Sequence, residues 1–565
     1  MTDRVPAYDP NPLHDVAGGT VVAGWSVPAD SVDAGCVLAL DGPAAMDWDA
    51  IVADVVAALR GRRVTPVDVR GFWRPWADVL AATTSPALAD DPNFERLATG
   101  RLADLVVVPP PHAAEPDEIV VLFGPGAALL AHDVLWYLDR PKRFAEADVG
   151  AGRARNLGQR PGDGPATTKR LFYVDWPLLD RHRDHGLWAV DRWFDVQDPA
   201  RPTSLDGTAL WRTLAALARH PMRTRPTFNT TPWGGQWARR ELGMESGGAN
   251  TALGYELIAP ESGVLVGDRR THVELPFQLI VAAHPATVLG ARVHDMFGTS
   301  FPVRFDYLDT VDGGNLSVHC HPRSAYMREV FGWPYTQHET YYVVVGGPAN
   351  TVFLGLHDGV DLDEFQCAAT QAHDHGVELD IERWVQTFPA TEHQLFCIPA
   401  GTPHGSGEGN VVLEVSATPY LYSLRFYDWL RHDAADRQRP VHVEHAFANL
   451  DRSRTGAAVG EELVCEPVVV RQRAGWREEV LCALPEMFYE VRRLVLEGDA
   501  PVPDDAIDGF HVLNVVSGAG VEISWAGGQR VLARAETIVV PAAVRGYRLR
   551  RLGSGPVRVV KALVR

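Results

Sequence analysis

The stretch NLSVHCHPRSAYMREVFGWPYTQHETYYVVV, residues 315–345, places two histidines one residue apart in a segment with the pattern of a β-strand. Because alternate residues of a strand face the same side, His319 and His321 are predicted to project into one space. Glu339 opens a second apolar run, ETYYVVV, that can pair beside them. A third histidine, His404, follows the run QLFCIPA in the turn PAGTPHG. Together the four side chains predict one metal site of three imidazoles and one carboxylate.

This donor set suits a divalent transition metal, with zinc as the first expectation and Mn, Fe, Co or Ni as alternatives. An isolated HxH pair is common and usually has no function. The chain also carries His373 and His375 in the polar segment QAHDHG, where a solvated helix surface is expected. What favours the metal is the combination of HxH, a glutamate on a strand and PxGxxH before an apolar strand.

Bulk properties exclude several classes of function. The 565 residues suggest about three or four domains. A net charge of −19 argues against a nucleic-acid or anionic-membrane partner, and no run of 18 apolar residues predicts a membrane span. The N-terminus lacks a signal-peptide pattern, and the six cysteines are scattered without a CxxC pair. We therefore expect a cytoplasmic protein without a disulfide framework or thiolate zinc site, and leave a homo-oligomer open.

The predicted secondary-structure pattern of the chain divides it into three blocks. Residues 1–222 alternate strand and helix patterns, such as GCVLALDG and WDAIVADVVAALRG, and further apolar runs are VTPVDV, LADLVVVPP, EIVVLFG and RLFYVDWP. This alternation predicts an α/β domain with a mostly parallel sheet. Residues 223–450, with a helical insertion, and 451–565 carry short strands and turns typical of β-barrels. The parallel between QLFCIPAGTPHG and ETIVVPAAVRGY predicts a duplicated barrel.

Four segments carry a family resemblance. They are TPWGGQWARRELG, MFGTSFPVRFDYLDTVDGGNLSVHCHP, ETYYVVVGGPANTVFLGL and PAGTPHGSGEGNVVLEVSATPYLYSLRFYDW. Through them, residues of about 226–565 resemble class I mannose-6-phosphate isomerases. The resemblance implies a bicupin of two jelly-roll barrels with helical insertions, and a metal held by His321, Glu339 and His404. The family has glutamine where this chain has His319, and a histidine there restores the general cupin set of three His and one Glu.

The resemblance also implies catalytic residues and a substrate class. Arg425 aligns with the family's catalytic-site arginine, and Glu414 with an acidic active-site residue, although the spacing between them is one residue longer here. Two family lysines of the substrate pocket are replaced by Gln337 and Asp306, with Arg304 nearby. We therefore expect weak activity on mannose 6-phosphate, which leaves an unphosphorylated or differently substituted sugar open.

The expected reaction is aldose–ketose isomerisation of a small sugar or sugar phosphate. A proton moves between adjacent carbons through an enediolate intermediate. A divalent metal can stabilise that intermediate, and a carboxylate or imidazole can transfer the proton. A merely structural role for Arg425 would be an ion pair with Asp428. Two alternatives remain open for the whole site. One is a cupin metalloenzyme of different chemistry, an oxygenase or sugar lyase, and the other is a non-catalytic sugar-binding protein.

The N-terminal segment VLALDGPAAMDWDAIVADVVAAL has the outline of a phosphate-binding P-loop. That loop needs Gly, Lys and Ser or Thr where this chain has Asp47, Trp48 and Asp49. YLDRPKRFAEADV and YVDWPLLDRHRD loosely resemble uridine-kinase-like folds, so we expect a degenerate, inactive kinase-like domain packed on the β-blocks, or a plain α/β domain. In the last block, PAAVRGY puts Arg545 or Gly546 where His404 would be, which predicts a structural barrel without metal.

Overall fold

The computed structural model describes residues 6–433 and 436–565. Its first block contains the mostly parallel sheet that the alternating pattern predicts. Five neighbouring strands are parallel, and two antiparallel strands extend one edge. Across the sheet the strands are Val22–Ala23, Thr203–Asp206, Arg192–Asp195, Val134–Asp139, Cys36–Asp41, Glu118–Phe123 and Arg63–Asp68. The α-helices are Ser26–Asp30, Trp48–Ala58, Trp76–Thr83, Lys142–Gly150, Thr168–Arg170, Trp176–Gly186 and Gly207–Leu217.

Two of the apolar runs in this block are not strands. RLFYVDWP is helical, with a π-turn at Leu171–Asp175 followed by the helix Trp176–Gly186. LADLVVVPP contributes only a short turn, Leu102–Leu105, after which Val107 and Val108 are exposed. A short apolar run has the same composition whether it fills a buried helix or a strand, so periodicity alone does not separate the two.

The histidine block, as we call the next unit, consists of two antiparallel sheets. One sheet has seven strands, in the order Val464–Cys465, Leu395–Ile398, Glu339–Val345, Val411–Ala417, Val303–Asp309, Leu253–Leu257 and Thr227–Asn229. The other has five, in the order Val385–Ala390, Gly347–Leu356, His404–Ser406, Val318–Cys320 and Leu424–Tyr427. The outermost strand of the seven, Val464–Cys465, comes from beyond residue 450.

Helices and a small sheet surround these two sheets. The α-helices are Trp237–Leu242, Phe277–Ala283, Pro285–Leu289, Ala291–Phe297, Ser324–Tyr326, Leu362–His375, Val443–Asn449 and Ala457–Leu463, with a π-turn at Met327–Phe331. The helix Leu362–His375 is the predicted helical insertion and holds His373 and His375. The small sheet joins Leu13–His14, Gly263–Gly267 and His272–Pro276, so a strand from the N-terminal segment completes it.

The C-terminal block again has two antiparallel sheets. The six-stranded sheet runs Val468–Arg473, Trp476–Cys482, Tyr489–Leu496, Val557–Val564, His511–Ser517 and Thr537–Val540. The four-stranded sheet runs Val502–Asp505, Gly546–Arg551, Val521–Trp525 and Gly528–Leu532. Two β-rich units in succession agree with the predicted multidomain, β-rich architecture. The jelly-roll description and the exact domain bounds stay predictions.

The three blocks share one continuous apolar core. It includes Val120 of the first sheet, Phe305 of the histidine block and Val560 of the C-terminal block. The first block also meets the histidine block through polar contacts, such as Arg143 with Glu274 at 2.7 Å. This agrees with the expectation that the N-terminal domain packs on the β-blocks. Within the described residues, no helix combines the length and the hydropathy that a bilayer crossing requires.

The chain contains a disulfide, although its scattered cysteines predict no disulfide framework. Cys397 of the histidine block is bonded to Cys482 of the C-terminal block, 85 residues away along the chain. The two cysteines belong to different sheets that the fold brings into contact. Their sequence spacing matches no recognisable framework, so only the three-dimensional arrangement reveals the pair.

Candidate metal centre

The four predicted ligands come together between the two sheets of the histidine block. His319 lies in the strand Val318–Cys320, directly opposite His404 at the start of the neighbouring strand. His321 follows two residues after His319, and Glu339 begins a strand of the facing sheet. All four side chains are buried, and one nitrogen from each of the three histidines lies within 4.8 Å of the others. Strand periodicity therefore brings these residues together as expected, and their role as ligands stays a prediction.

Backbone carbonyls hold the three imidazoles in one tautomer. The Nδ1–H groups of His319, His321 and His404 donate to the carbonyls of Ser317, Tyr422 and Thr402, at 2.9, 3.2 and 2.9 Å. Burial lowers the pKa of His319 and of His321, so these rings are neutral near pH 7. A neutral ring that donates through Nδ1 has a lone pair on Nε2. This is the arrangement found in histidines that bind metals.

The Nε2 atoms face the carboxylate of Glu339, which has too few hydrogen-bond donors around it. Glu339 Oε2 lies 2.7 Å from His321 Nε2, and Oε1 lies 3.6 Å from His404 Nε2. Glu339 Oε1 and His404 Nε2 are buried without a hydrogen-bond partner. Gln337 donates to Glu339 Oε2 at 3.0 Å. Buried acceptors that face one another are costly unless a cation lies between them. The residues present therefore fit a metal ion.

A charged cluster adjoins this centre on the seven-stranded sheet. In register, Asp306 lies opposite Glu414, and Arg304 lies opposite Ser416, which in turn lies opposite Glu339. Arg304 contacts the Glu414 carboxylate, donates to Ser416 Oγ at 2.6 Å and lies 3.3 Å from Asp306. Burial raises the pKa of Glu414 well above its usual range. The predicted residue Glu414 thus belongs to the same buried interior as Glu339.

The balance of charge in this interior also favours a cation. Three buried carboxyl groups lie here, those of Asp306, Glu339 and Glu414, and the guanidinium of Arg304 contacts two of them, Asp306 and Glu414. With all three carboxyls ionised, the state that a bound cation favours, and the histidines neutral, the cluster carries a net charge of −2. One divalent ion would neutralise it, as buried charges require. The sequence alone gives Arg304 no role, because the partners of its guanidinium depend on strand register.

The second predicted catalytic residue, Arg425, lies in the five-stranded sheet beside the histidines. It is opposite one of them in register, but its guanidinium donates to the carbonyl of Pro440 at 3.1 Å. The Asp428 carboxylate is shared instead by Arg431 at 2.7 Å and Arg439 at 2.8 Å. Burial, with Arg439 nearby, lowers the pKa of Arg425 to about 10. The structure therefore places Arg425 near the centre without a contact to Glu414.

A side chain of the first block contacts the segment whose carbonyl orients His321. Tyr173 donates its hydroxyl to the carbonyl of Leu421 at 3.0 Å, and its ring lies 5.3 Å from that of Tyr422. Tyr422 is the residue whose carbonyl accepts the Nδ1–H of His321. Residues about 250 positions apart make these contacts. Sequence reasoning missed Tyr173 because no local pattern signals so distant a partner.

The P-loop-like segment has different contacts from those of a phosphate loop. Asp47 caps the helix Trp48–Ala58 by accepting from the Ala50 N–H at 3.1 Å. Arg70 contacts Asp49 and also pairs with Asp68 at 2.8 Å. Carboxylates therefore occupy the helix N-terminus, where a phosphate would otherwise bind. These residues line a crevice of about 860 Å³ at the carboxyl edge of the sheet.

Comparisons with known proteins divide the chain into two parts. A family described as "Domain of unknown function (DUF8485)" matches residues 24–219. A mannose-6-phosphate isomerase of Streptococcus mutans is 25% identical over 332 residues, covering 58% of this chain and 94% of that protein. The structure of mannose 6-phosphate isomerase from Bacillus subtilis covers 61% of this chain and 100% of its own, with 16% identity and a TM-score of 0.49. A zinc-bound mannose 6-phosphate isomerase has the same coverage, with 13% identity and a TM-score of 0.46.

The chain is thus similar to mannose-6-phosphate isomerases over more than half its length, which confirms that part of the predicted resemblance. The uridine-kinase-like character of the N-terminal domain stays a prediction. So do the identity of the metal and the roles of the individual site residues.

Proposed function

We propose that this protein is a metal-dependent aldose–ketose isomerase of the mannose-6-phosphate isomerase type, acting on a sugar or sugar phosphate. The observation that carries the proposal is the meeting of three Nε2 lone pairs and the Glu339 carboxylate beside the buried Glu414–Arg304 pair. Sequence similarity to a mannose-6-phosphate isomerase supports the same reaction class.

The residues that would hold the ion are His319, His321, Glu339 and His404. When bound, a divalent cation supplies Lewis-acid stabilisation for the negative oxygen that develops during isomerisation. The chain's own contribution is to fix the ligands in advance. The three carbonyl acceptors set the tautomers, and Gln337 orients the carboxylate of Glu339 through its hydrogen bond.

Isomerisation also requires a group that takes a proton from one carbon and returns it to the next. We assign this role to Glu414, because burial raises the pKa of its carboxyl and so makes it a better proton acceptor than an exposed glutamate. Ser416 donates to Glu414 Oε1 at 2.8 Å and, with Arg304, holds its orientation. Arg425, on the opposite sheet, is assigned to positioning an anionic group or oxygen of the substrate.

The wall near Glu414 is unfavourable for a phosphate group. Gln337 and Asp306 stand where the resembling family has lysines, and Gln337 is already bonded to Glu339. The guanidinium of Arg304 is shared by two carboxylates, Asp306 and Glu414. We therefore expect conversion of mannose 6-phosphate to fructose 6-phosphate to be weak compared with conversion of another sugar.

The test is product formation by the metal-loaded, full-length protein on a panel of aldoses, ketoses and their phosphates. Interconversion of an aldose and its ketose is expected, and Glu414→Gln should lower kcat by about 10²- to 10⁴-fold while metal is retained. Efficient, saturable turnover of mannose 6-phosphate would contradict the substrate expectation alone. Oxygen-dependent turnover with iron, an elimination product, or sugar binding without turnover would each replace the isomerase proposal.

A further inference from the structure

Three of the six cysteines meet at the contact between the histidine block and the C-terminal block. Cys397 and Cys482 form the disulfide, and Cys465 Sγ lies 3.0 Å from Cys397 Sγ. All three sulfurs lie within 4.8 Å of one another. Met487 Sδ lies 3.6 Å from Cys482 Sγ and extends the cluster to four sulfurs. The arrangement is local to this contact and separate from the histidines.

We propose that this sulfur cluster is a thiol–disulfide exchange site, in which Cys397 can pair with either Cys482 or Cys465. In the exchange, the Cys465 thiolate attacks Cys397 Sγ and forms a new S–S bond. The bond from Cys397 to Cys482 breaks, and its electron pair leaves on the Cys482 sulfur. Cys482 then takes up a proton equivalent to the one that Cys465 released. No external oxidant or reductant is consumed, because one disulfide and one thiol are present before and after.

The two disulfides connect different parts of the molecule. The Cys397–Cys482 bond links the seven-stranded sheet of the histidine block to the six-stranded sheet of the C-terminal block. A Cys397–Cys465 bond would instead join two neighbouring strands within one sheet. Exchange therefore decides whether a disulfide cross-links the C-terminal block to the histidine block.

The strand that carries Cys397 also leads to the candidate metal centre. Its residue Ile398 pairs with Glu339, and the chain then continues through the turn to His404. A change of disulfide partner at Cys397 therefore acts on a strand that pairs with the predicted ligand Glu339 and precedes the predicted ligand His404. This consequence rests on the proposed function, whereas the exchange itself does not.

Burial favours a disulfide with a thiol over three thiolates on a metal ion. Cys397 and Cys482 are buried and Cys465 is half-buried, so uncompensated negative charge is costly there. Burial also raises the pKa of Cys465 to about 12. Because the thiolate is the nucleophile, exchange is slow at neutral pH and accelerates about tenfold per pH unit below that pKa. The two isomers should therefore be separable in mild acid and interconvert in base.

Disulfide mapping of the full-length protein tests the exchange. Protein held at pH 6 or pH 9 is quenched in acid, its free thiols are alkylated, and the cross-linked peptides are identified by mass spectrometry. We expect only the Cys397–Cys482 peptide at pH 6, and the Cys397–Cys465 peptide as well at pH 9, with an unchanged number of free thiols. Cys465→Ser should retain Cys397–Cys482 at both values. Cys367→Ser, at an exposed free cysteine, should behave as the wild type.

A second variant makes the outcome decisive. In a glutathione buffer that keeps the wild-type disulfide oxidised, Cys482→Ser should form Cys397–Cys465. Free thiols at both positions in that variant, or a wild type that retains only Cys397–Cys482 after prolonged incubation at pH 9, would overturn the proposal. Stoichiometric metal bound through the three thiols would overturn it as well. Isomerase activity is not part of this readout, so failure here leaves the proposed function standing.

Discussion

The histidine block and the C-terminal block both bury polar side chains, but they balance the charge in different ways. In the histidine block, Glu339 Oε1 and His404 Nε2 face each other without a partner. In the C-terminal block, Lys561 Nζ lies 2.6 Å from both Glu478 and Asp504. The second block therefore carries its cation on its own chain, whereas the first presents a ligand set that fits a cation from solution. The two β-rich blocks of this chain thus treat buried charge differently, one with a lysine of its own and the other with side chains that fit a metal ion.

The largest expected effect comes from removing a predicted ligand. His404→Ala should lower metal affinity by more than the 10- to 100-fold typical of losing an outer hydrogen-bond partner. Elemental analysis of the purified variant should show loss of most of the metal. His373→Ala, on the helix Leu362–His375, is the matched control and should retain it. Full metal occupancy in His404→Ala would show that the histidine block does not bind the metal through this ligand set.

The reciprocal change removes the cation of the C-terminal block. Lys561→Met removes the buried ammonium between Glu478 and Asp504, which keep the partly exposed Arg471 as a shared partner. It should lower the free energy of unfolding by about 3 kcal/mol. Metal content should not change. Arg383→Met, at an exposed pair with Glu364, should cost about 1 kcal/mol or less. Denaturant unfolding with elemental analysis measures both quantities, and a loss of metal in Lys561→Met would undermine the separation of the blocks.

The same network predicts a dependence of stability on pH. Burial opposes ionisation of Asp504, but Lys561 together with His511 and Arg471 outweighs it and lowers the pKa to about 2. A depressed carboxyl pKa stabilises the fold above its unfolded value of about 3.9 and ceases to do so as the pH falls to about 2. Wild type should therefore lose about 1.8 kcal/mol between pH 4 and 2 that Asp504→Asn does not lose. An equal fall in the free energy of unfolding of both proteins between pH 4 and 2 would contradict the assignment.

The smallest expected effect concerns the first block. With Asp47 capping the helix and Arg70 paired with acidic residues, the P-loop-like segment should not bind Mg-ATP tightly or hydrolyse it. Calorimetry on the full-length protein should give no measurable heat of saturation. Micromolar binding would indicate another phosphate site, such as the basic loop GAGRARNLGQR beside the crevice, and a second activity in the chain.

The sequence predicted most of what depends on local patterns. Strand periodicity placed His319 and His321 on one side, and the PAGTPH turn returned His404 to the same place. The same reasoning failed for RLFYVDWP, because a buried helix and a buried strand can share one apolar composition. It also gave no role to Arg304, whose contact with Glu414 depends on the pairing of two strands that are more than 100 residues apart.

The amino-acid sequence by itself determined the candidate ligands, the order of an α/β block before two β-rich blocks, and the resemblance to a sugar-phosphate isomerase. Each of these follows from residue types at short, fixed spacings. Only the tertiary structure decided that Tyr173 supports the strand behind His321, that Lys561 neutralises the C-terminal block, and that Cys397 lies between two other cysteines. These contacts join residues that are distant in the chain, and their geometry depends on strand register and on the packing of one block against another.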